Sequence, residues 1–183
     1  MRVITGIAKG KRLINPKDNR IRPTTDRIKE SLFNIINPFV NDSIFIDCFS
    51  GTGAIGVEAI SRGAKEVYFI DNHNESIGIV RKNLQITDFR DKSKILQMDI
   101  ISAISELSSK SVKADIIFMD PPYNLDIITS ILTEISINNI LKDEGKIIVE
   151  HDKDYSPQEI INDFIIYDIR KYGNTSVSFY KKR

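Results

Sequence analysis

An α/β fold on a mostly parallel sheet is the architecture this sequence predicts, and two observations carry it. Between residues 43 and 151, short apolar runs alternate with segments of helical periodicity. The runs are near-continuous, as in strands covered on both faces. The first run also leads straight into "GTGAIG" (51–56), which opens a helical segment, so a strand and a helix meet there at a glycine turn.

Taken in order, residues 1–22 carry Gly6, Gly10, Pro16 and scattered hydrophobics and read as a short β-hairpin or irregular arm. "RPTTDRIKESLFNII" (22–36) is helical from Thr25 or Asp26, either of which can cap. Ile28, Leu32, Ile35 and Ile36 share one face, and Pro38 closes the helix. "SIFIDCF" (43–49) is a buried strand, and "TGAIGVEAISRG" (52–63) is a helix ended by Gly63. Strands follow at 66–71, 93–99, 114–120 and 145–151, with helices at 74–87, 100–109 and 127–141 between them. "SPQEIINDF" (156–164) reads as a short helix with Pro157 in its first turn. Residues 165–182 read as a terminal hairpin turning at Gly173 and Asn174.

The 183 residues suit one domain with a substantial core. No apolar run approaches the ~20 residues that span a bilayer, and "MRVITGIAKGKRL" carries no signal-type apolar stretch. A lone Cys48 makes neither an intrachain disulfide nor a metal cluster. No membrane, no metal and a reducing cytoplasmic setting are therefore expected. Net charge is +1, yet residues 1–30 hold nine basic and three acidic side chains, so that segment is +6 and the remainder −5. A basic arm on a faintly acidic body fits nucleic acid, or else a solvated polar segment.

In a parallel sheet, ligands bind beyond the carboxyl ends of the strands. Here those ends carry Asp47, Asp71, Asp99, Asp120 and Glu150. One such residue would pass as a helix cap, but five on one rim suggest a site. The glycine loop fits G-x-G-x-x-G, and Asp71 follows Gly51 by 20 residues, as in dinucleotide-binding loops. Asp47, four residues before the first glycine, argues against a pyrophosphate there, since like charges repel. It would attract a ligand bearing an ammonium and a sulfonium, which points to S-adenosylmethionine. Asp47 and the loop would then hold the methionine end, and Asp71 the ribose hydroxyls. Met98 would flank the adenine, with Asp99 as acceptor or merely as a helix cap.

"DPPY" (120–123) supplies chemistry for an exocyclic amine. The Asp120 carboxylate and the Pro121 carbonyl can accept both amine hydrogens, and prolines bring no competing donor. That favours a pyramidal nitrogen with its lone pair aimed at the methyl group. Tyr123 can stack on the base, worth ~1–3 kcal/mol, and a paired base would have to be flipped.

These residues resemble the bacterial 16S ribosomal RNA guanine-N2 methyltransferase family. The likeness runs through "RVITGIAKGKRL", "RPTTDRIKESLFNII", "IDCFSGTGAIGVEAISRGAKEVYFID", "DIIFMDPPY" and "YGNTSVSFY". The resemblance implies a Rossmann-like class I methyltransferase fold, with seven strands and an antiparallel last strand. It implies S-adenosylmethionine as cofactor and action on the small ribosomal subunit or its 16S RNA; a monomer is expected. Asp120, Pro121, Pro122 and Tyr123 would be catalytic. Asp47, Phe49, Gly51, Gly53, Asp71, Asn72, Met98, Asp99 and Thr24 would bind cofactor. Arg2, Lys9, Lys11, Arg12, Arg20 and Arg22 would meet RNA phosphates. Residues 1–25 would thus be the RNA-contacting arm and 26–183 the methyltransferase domain. The loop departs mildly, with "CFSGTG" where "LFAGSG" is usual. A DNA or RNA adenine-N6 methyltransferase would use the same motif and is the principal alternative. An inactive RNA-binding scaffold and a nicotinamide enzyme fit the carboxylates less well.

Overall fold

Asp26–Ile36 (α1) leads through a 3-10 turn at Asn37–Phe39 into the first strand of a computed structural model that describes residues 1–15, 26–121 and 126–183. The alternating core comprises Ile44–Cys48 (β1), Ala54–Ser61 (α2), Glu66–Ile70 (β2), Asn74–Thr87 (α3), Ser93–Leu96 (β3), Ile100–Ser109 (α4) and Ala114–Met119 (β4). Asp126–Ile137 (α5) and Leu141–Asp152 (β5) complete it, and Ile160–Ile161 (β6), Phe164–Tyr172 (β7) and Thr175–Lys182 (β8) close the chain.

The strands form one sheet in the order β3-β2-β1-β4-β5-β8-β7-β6. β1 to β5 are parallel, while β8 enters antiparallel between β5 and β7. The chain winds outward from β1 to β3, then restarts at β4 on the other side of β1. That reversal is the switch point where such sheets bind ligands.

Alternation along the strands divides the core in two. Phe45, Phe69, Phe118 and Ile148 face one cluster with Leu32 and Phe33 of α1, Val57 and Ile60 of α2, and Val80 of α3. Ile46, Ile70, Ile117, Met119 and Val149 face the other, with Ile104 of α4 and Ile131 of α5. Val3, Ala8 and Leu13 are buried in the first cluster, so residues 1–15 pack on the domain rather than extending from it.

Four expectations need correction. The sheet has eight strands rather than seven. The extra one is β6, formed where a short helix was expected: Asn162 takes a left-handed φ of 52° and turns Ile161 back onto Phe164. The helix expected to reach residue 141 stops at Ile137, because Asn139 adopts φ 48° and Leu141 joins the sheet opposite Ala114. The third strand stops at Leu96 rather than residue 99, since Asp99 is taken up as the N-cap of α4.

Candidate active site

β1 delivers Asp47 into the layer beneath the glycine loop. Its side chain is 2% exposed, and one oxygen accepts the Gly56 N–H of α2 at 2.9 Å. The chain reverses at Phe49, a non-glycine residue at φ 58°, a backbone strain of roughly 1–2 kcal/mol typical of functional turns. Gly53 continues the turn at φ 74°, and a Cβ there would come within 3.2 Å of Phe69 and Val80. At Gly56 a Cβ would lie 2.3 Å from the Phe69 ring. The second and third glycines of the loop, Gly53 and Gly56, are therefore demanded by backbone conformation and by helix–sheet contact.

Asp71, just past β2, ties the rim to the loop. One of its oxygens accepts the Gly51 N–H at 2.9 Å and the other the His73 N–H at 2.8 Å. Each oxygen keeps a second lone pair for a ligand hydroxyl. Burial pushes the Asp47 carboxyl well above the ordinary range. The Gly56 N–H opposes that, and the nearby Asp71 and Asp120 charges reinforce it. Three carboxylates thus converge on one end of β1, the arrangement that a cationic ligand would relieve. Burial likewise raises the Cys48 thiol, which stays protonated and packs in the core.

Glu150 joins this group. It shares its face of β5 with Ile148, and the ladder pairing Met119 with Val149 brings it level with Asp120. It is 7% exposed. The sequence placed it on the rim, but only the strand register identifies it as a neighbour of Asp120.

Asp99 lies on the exposed surface and caps α4. Its oxygens accept the Ser102 N–H at 3.0 Å and the Ser102 hydroxyl at 2.6 Å, and these bonds hold its carboxyl below the usual range. Met98 is half-buried against the second core cluster, as is Phe49, whereas Asn72 is exposed beside Asp71. Asp120 and Pro121 are half-buried at the end of β4. Pro122, Tyr123, Thr24, Arg20 and Arg22 lie outside the described residues.

The basic residues of the first segment are arranged differently from the carboxylates. A bridge pairs Arg2 with Arg12, and the hairpin between them lies along α2. The Ile4 and Thr5 N–H groups donate to Glu58 at 2.8 and 3.0 Å, and Ile7 N–H donates to the Ser61 carbonyl at the end of α2. Gly6 sits so close that a Cβ would fall 1.7 Å from the Ser61 carbonyl oxygen. The Lys11 ammonium donates to the Ile86 and Thr87 carbonyls, a cation at a helix C-terminus. Lys9, Lys11 and Arg12 are exposed, but Lys9 and Lys11 lie near the far ends of α2 and α3, away from Asp120.

A buried ion network fastens the hairpin. Lys29 of α1 and Glu58 of α2 are fully buried and 3.5 Å apart, and Arg62 donates to Glu58 at 2.9 Å. The Lys29 ammonium also donates to the Arg2 carbonyl at 2.6 Å. Burial lowers the Lys29 pKa, partly offset by Glu58 and Asp26.

Known proteins share this sequence and this architecture. The family model described as "Conserved hypothetical protein 95" matches residues 1–181. The Bacillus subtilis protein named "Putative rRNA methyltransferase YlbH" is 34% identical over 183 residues, covering 100% of both chains. Ribosomal RNA small subunit methyltransferase D of Escherichia coli is 29% identical, covering 100% of this chain and 90% of that protein. The solved structure named "Putative methyltransferase yhhF from Escherichia coli" superimposes with a TM-score of 0.86 at 29% identity, covering 100% of this chain and 98% of that one. The fold is thus that of a Rossmann-like class I methyltransferase, and the chain belongs to the conserved hypothetical protein 95 family, with relatives named as methyltransferases of small-subunit ribosomal RNA.

Proposed function

We propose that this protein transfers a methyl group from S-adenosylmethionine to the exocyclic N2 amine of one guanine in 16S ribosomal RNA, in the cytoplasm and as a monomer. The observation that carries the reading is the convergence of Asp71 and Asp120 on the buried Asp47, beneath a glycine turn at the sheet's switch point. This concentration of negative charge, with no paired cation on Asp47 among the described residues, suits a ligand with an ammonium and a sulfonium. Asp47 and the Gly51–Gly53 turn would hold the methionine end, with Phe49 beside it. Asp71 and Asn72 would face the ribose, and Met98 and Asp99 the adenine. Thr24 would close over the cofactor. When bound, the cofactor supplies an electrophilic methyl group on its sulfonium.

The chain's own residues handle the amine. Asp120 accepts one amine hydrogen and the Pro121 carbonyl the other, which turns the nitrogen lone pair outward. Pro122 fixes that carbonyl and Tyr123 stacks on the base. Glu150, level with Asp120 on the same face, brings a second carboxylate to that edge of the base. Guanine presents N1–H and N2–H donors along one edge, whereas adenine presents an N1 acceptor that a carboxylate would repel. That favours guanine over the adenine-N6 reading. Residues 1–25 would contact RNA through Arg2, Lys9, Lys11, Arg12, Arg20 and Arg22, and residues 26–183 would form the methyltransferase domain.

The test offers methyl-labelled cofactor with small subunits, naked 16S RNA or DNA. Nuclease digestion and mass spectrometry then locate the label. A single N2-methylguanosine from the subunit is expected. Label on adenine, or on DNA alone, would sink the proposal.

A further inference from the structure

At the outer edge of the sheet, α3, the 3-10 turn at Arg90–Lys92 and β3 enclose a pocket of about 390 Å³. Leu84 and Ile95 contribute apolar atoms to its lining, and Gln85 and Ser93 neutral polar ones. Arg81, Lys82 and Arg90 supply three exposed cations. None of the three makes an ion pair among the described residues. Arg81 and Gln85 stand one helical turn apart on the same side of α3, with Lys82 beside them. Asp88 and Asp91 lie nearby, so from residue 81 to residue 94 five basic side chains outnumber two acidic ones. Among the five, Lys94 pairs with Glu66.

The N-terminal hairpin meets the same helix on its other side, through Asn83, Ile86 and Thr87. Lys11 donates to the Ile86 and Thr87 carbonyls, immediately past Gln85 on the same helix. A bare phosphate site would need only the cations. Leu84, 2% exposed, and the half-buried Ile95 form an apolar floor between the cations, and an apolar floor beside cations fits the base and phosphate of a nucleotide in a longer strand.

We propose that this pocket is a second RNA anchor, taking an unpaired nucleotide with its base against Leu84 and Ile95 and its phosphate at Arg81 and Arg90. The inference rests on the ribosomal RNA reading above and adds to it a site remote from the chemistry. α3 starts beside Asp71, and Arg81 lies seven residues further on, or ~10 Å along the helix axis. Gln85 lies ~16 Å along it. One nucleotide cannot reach both places, so the anchor selects RNA already folded to present two separated elements. This would favour assembled subunits over short RNA.

The double variant Arg81→Glu/Arg90→Glu tests it, since both side chains are exposed and the fold should tolerate the change. Subunit binding should weaken about tenfold or more, and the slope of log affinity against log salt should fall by about two. KM for the subunit should rise while kcat at saturating subunit, cofactor binding and the melting temperature stay as in wild type. Lys110→Glu/Lys113→Glu, at the end of α4 on the opposite face, is the matched control and should change binding little. Equal behaviour of Arg81→Glu/Arg90→Glu and wild type, or an equal loss in the control, would overturn the anchor while leaving the enzyme reading intact. A wild-type protein that neither binds nor methylates the subunit would overturn both.

Discussion

Asp47 holds a carboxylate in the core where two others already repel it. Its raised pKa means that the folded state keeps the proton more tightly than the unfolded chain. The associated stability is present below the unfolded value near 3.8 and is lost as pH rises through the higher folded one. Asp47→Asn keeps an acceptor for the Gly56 N–H and removes the charge. Its melting temperature should exceed wild type by a margin that grows as pH rises above the unfolded value. Cofactor affinity should fall by roughly tenfold, about 1.4 kcal/mol, through loss of the anionic partner. A pH-independent margin in thermal melts would refute the charge account. Asp120→Ala separates chemistry from binding: kcat should drop by about 10²–10³-fold, while cofactor affinity measured by calorimetry stays within about twofold. Retained turnover would remove Asp120 from the amine. At this scale the residue types were readable in sequence, because strand ends and glycine spacing are local. Asp99 was not resolved there, since a helix cap and an adenine acceptor use the same residue at the same place.

Among the elements, α2 carries two tasks. Its first turn closes the glycine loop, and its last turns seat the hairpin through Glu58 and Ser61. Glu58→Ala would leave the Lys29 ammonium buried beside Arg62 without its carboxylate. Breaking such a network by one partner costs about 3–5 kcal/mol, and urea unfolding should show it. A loss below about 1 kcal/mol would mean that the hairpin is held by apolar packing and the Ser61 contacts rather than by the buried ion network. Two of the boundaries that the sequence pattern missed share a cause. Asn139 and Asn162 adopt left-handed conformations, and asparagine tolerates these without requiring them. Whether the chain turns at such a residue depends on what the next segment can pair with. Leu141 finds β4, and Ile160 and Ile161 find β7.

For the whole molecule, charge and packing assign the first fifteen residues differently. Charge marks them as an arm, but Val3, Ala8 and Leu13 belong to the same core as α1 and α2. A chain lacking residues 1–15 should lose roughly 4–7 kcal/mol from exposed apolar surface and stranded Glu58 contacts. That is enough to unfold a domain of ordinary stability. An unchanged urea midpoint for residues 16–183 would show that the hairpin is an appendage after all. The α/β class, the alternation of strand and helix, the glycine turn and the rim carboxylates are legible along the chain, because each depends on periodicity or on neighbours a few residues away. That Glu150 stands beside Asp120, that the hairpin lies on α2, and that Arg81 and Arg90 share a pocket emerges only on folding. Those depend on strand register and on helices crossing the sheet, where residues far apart in the chain meet.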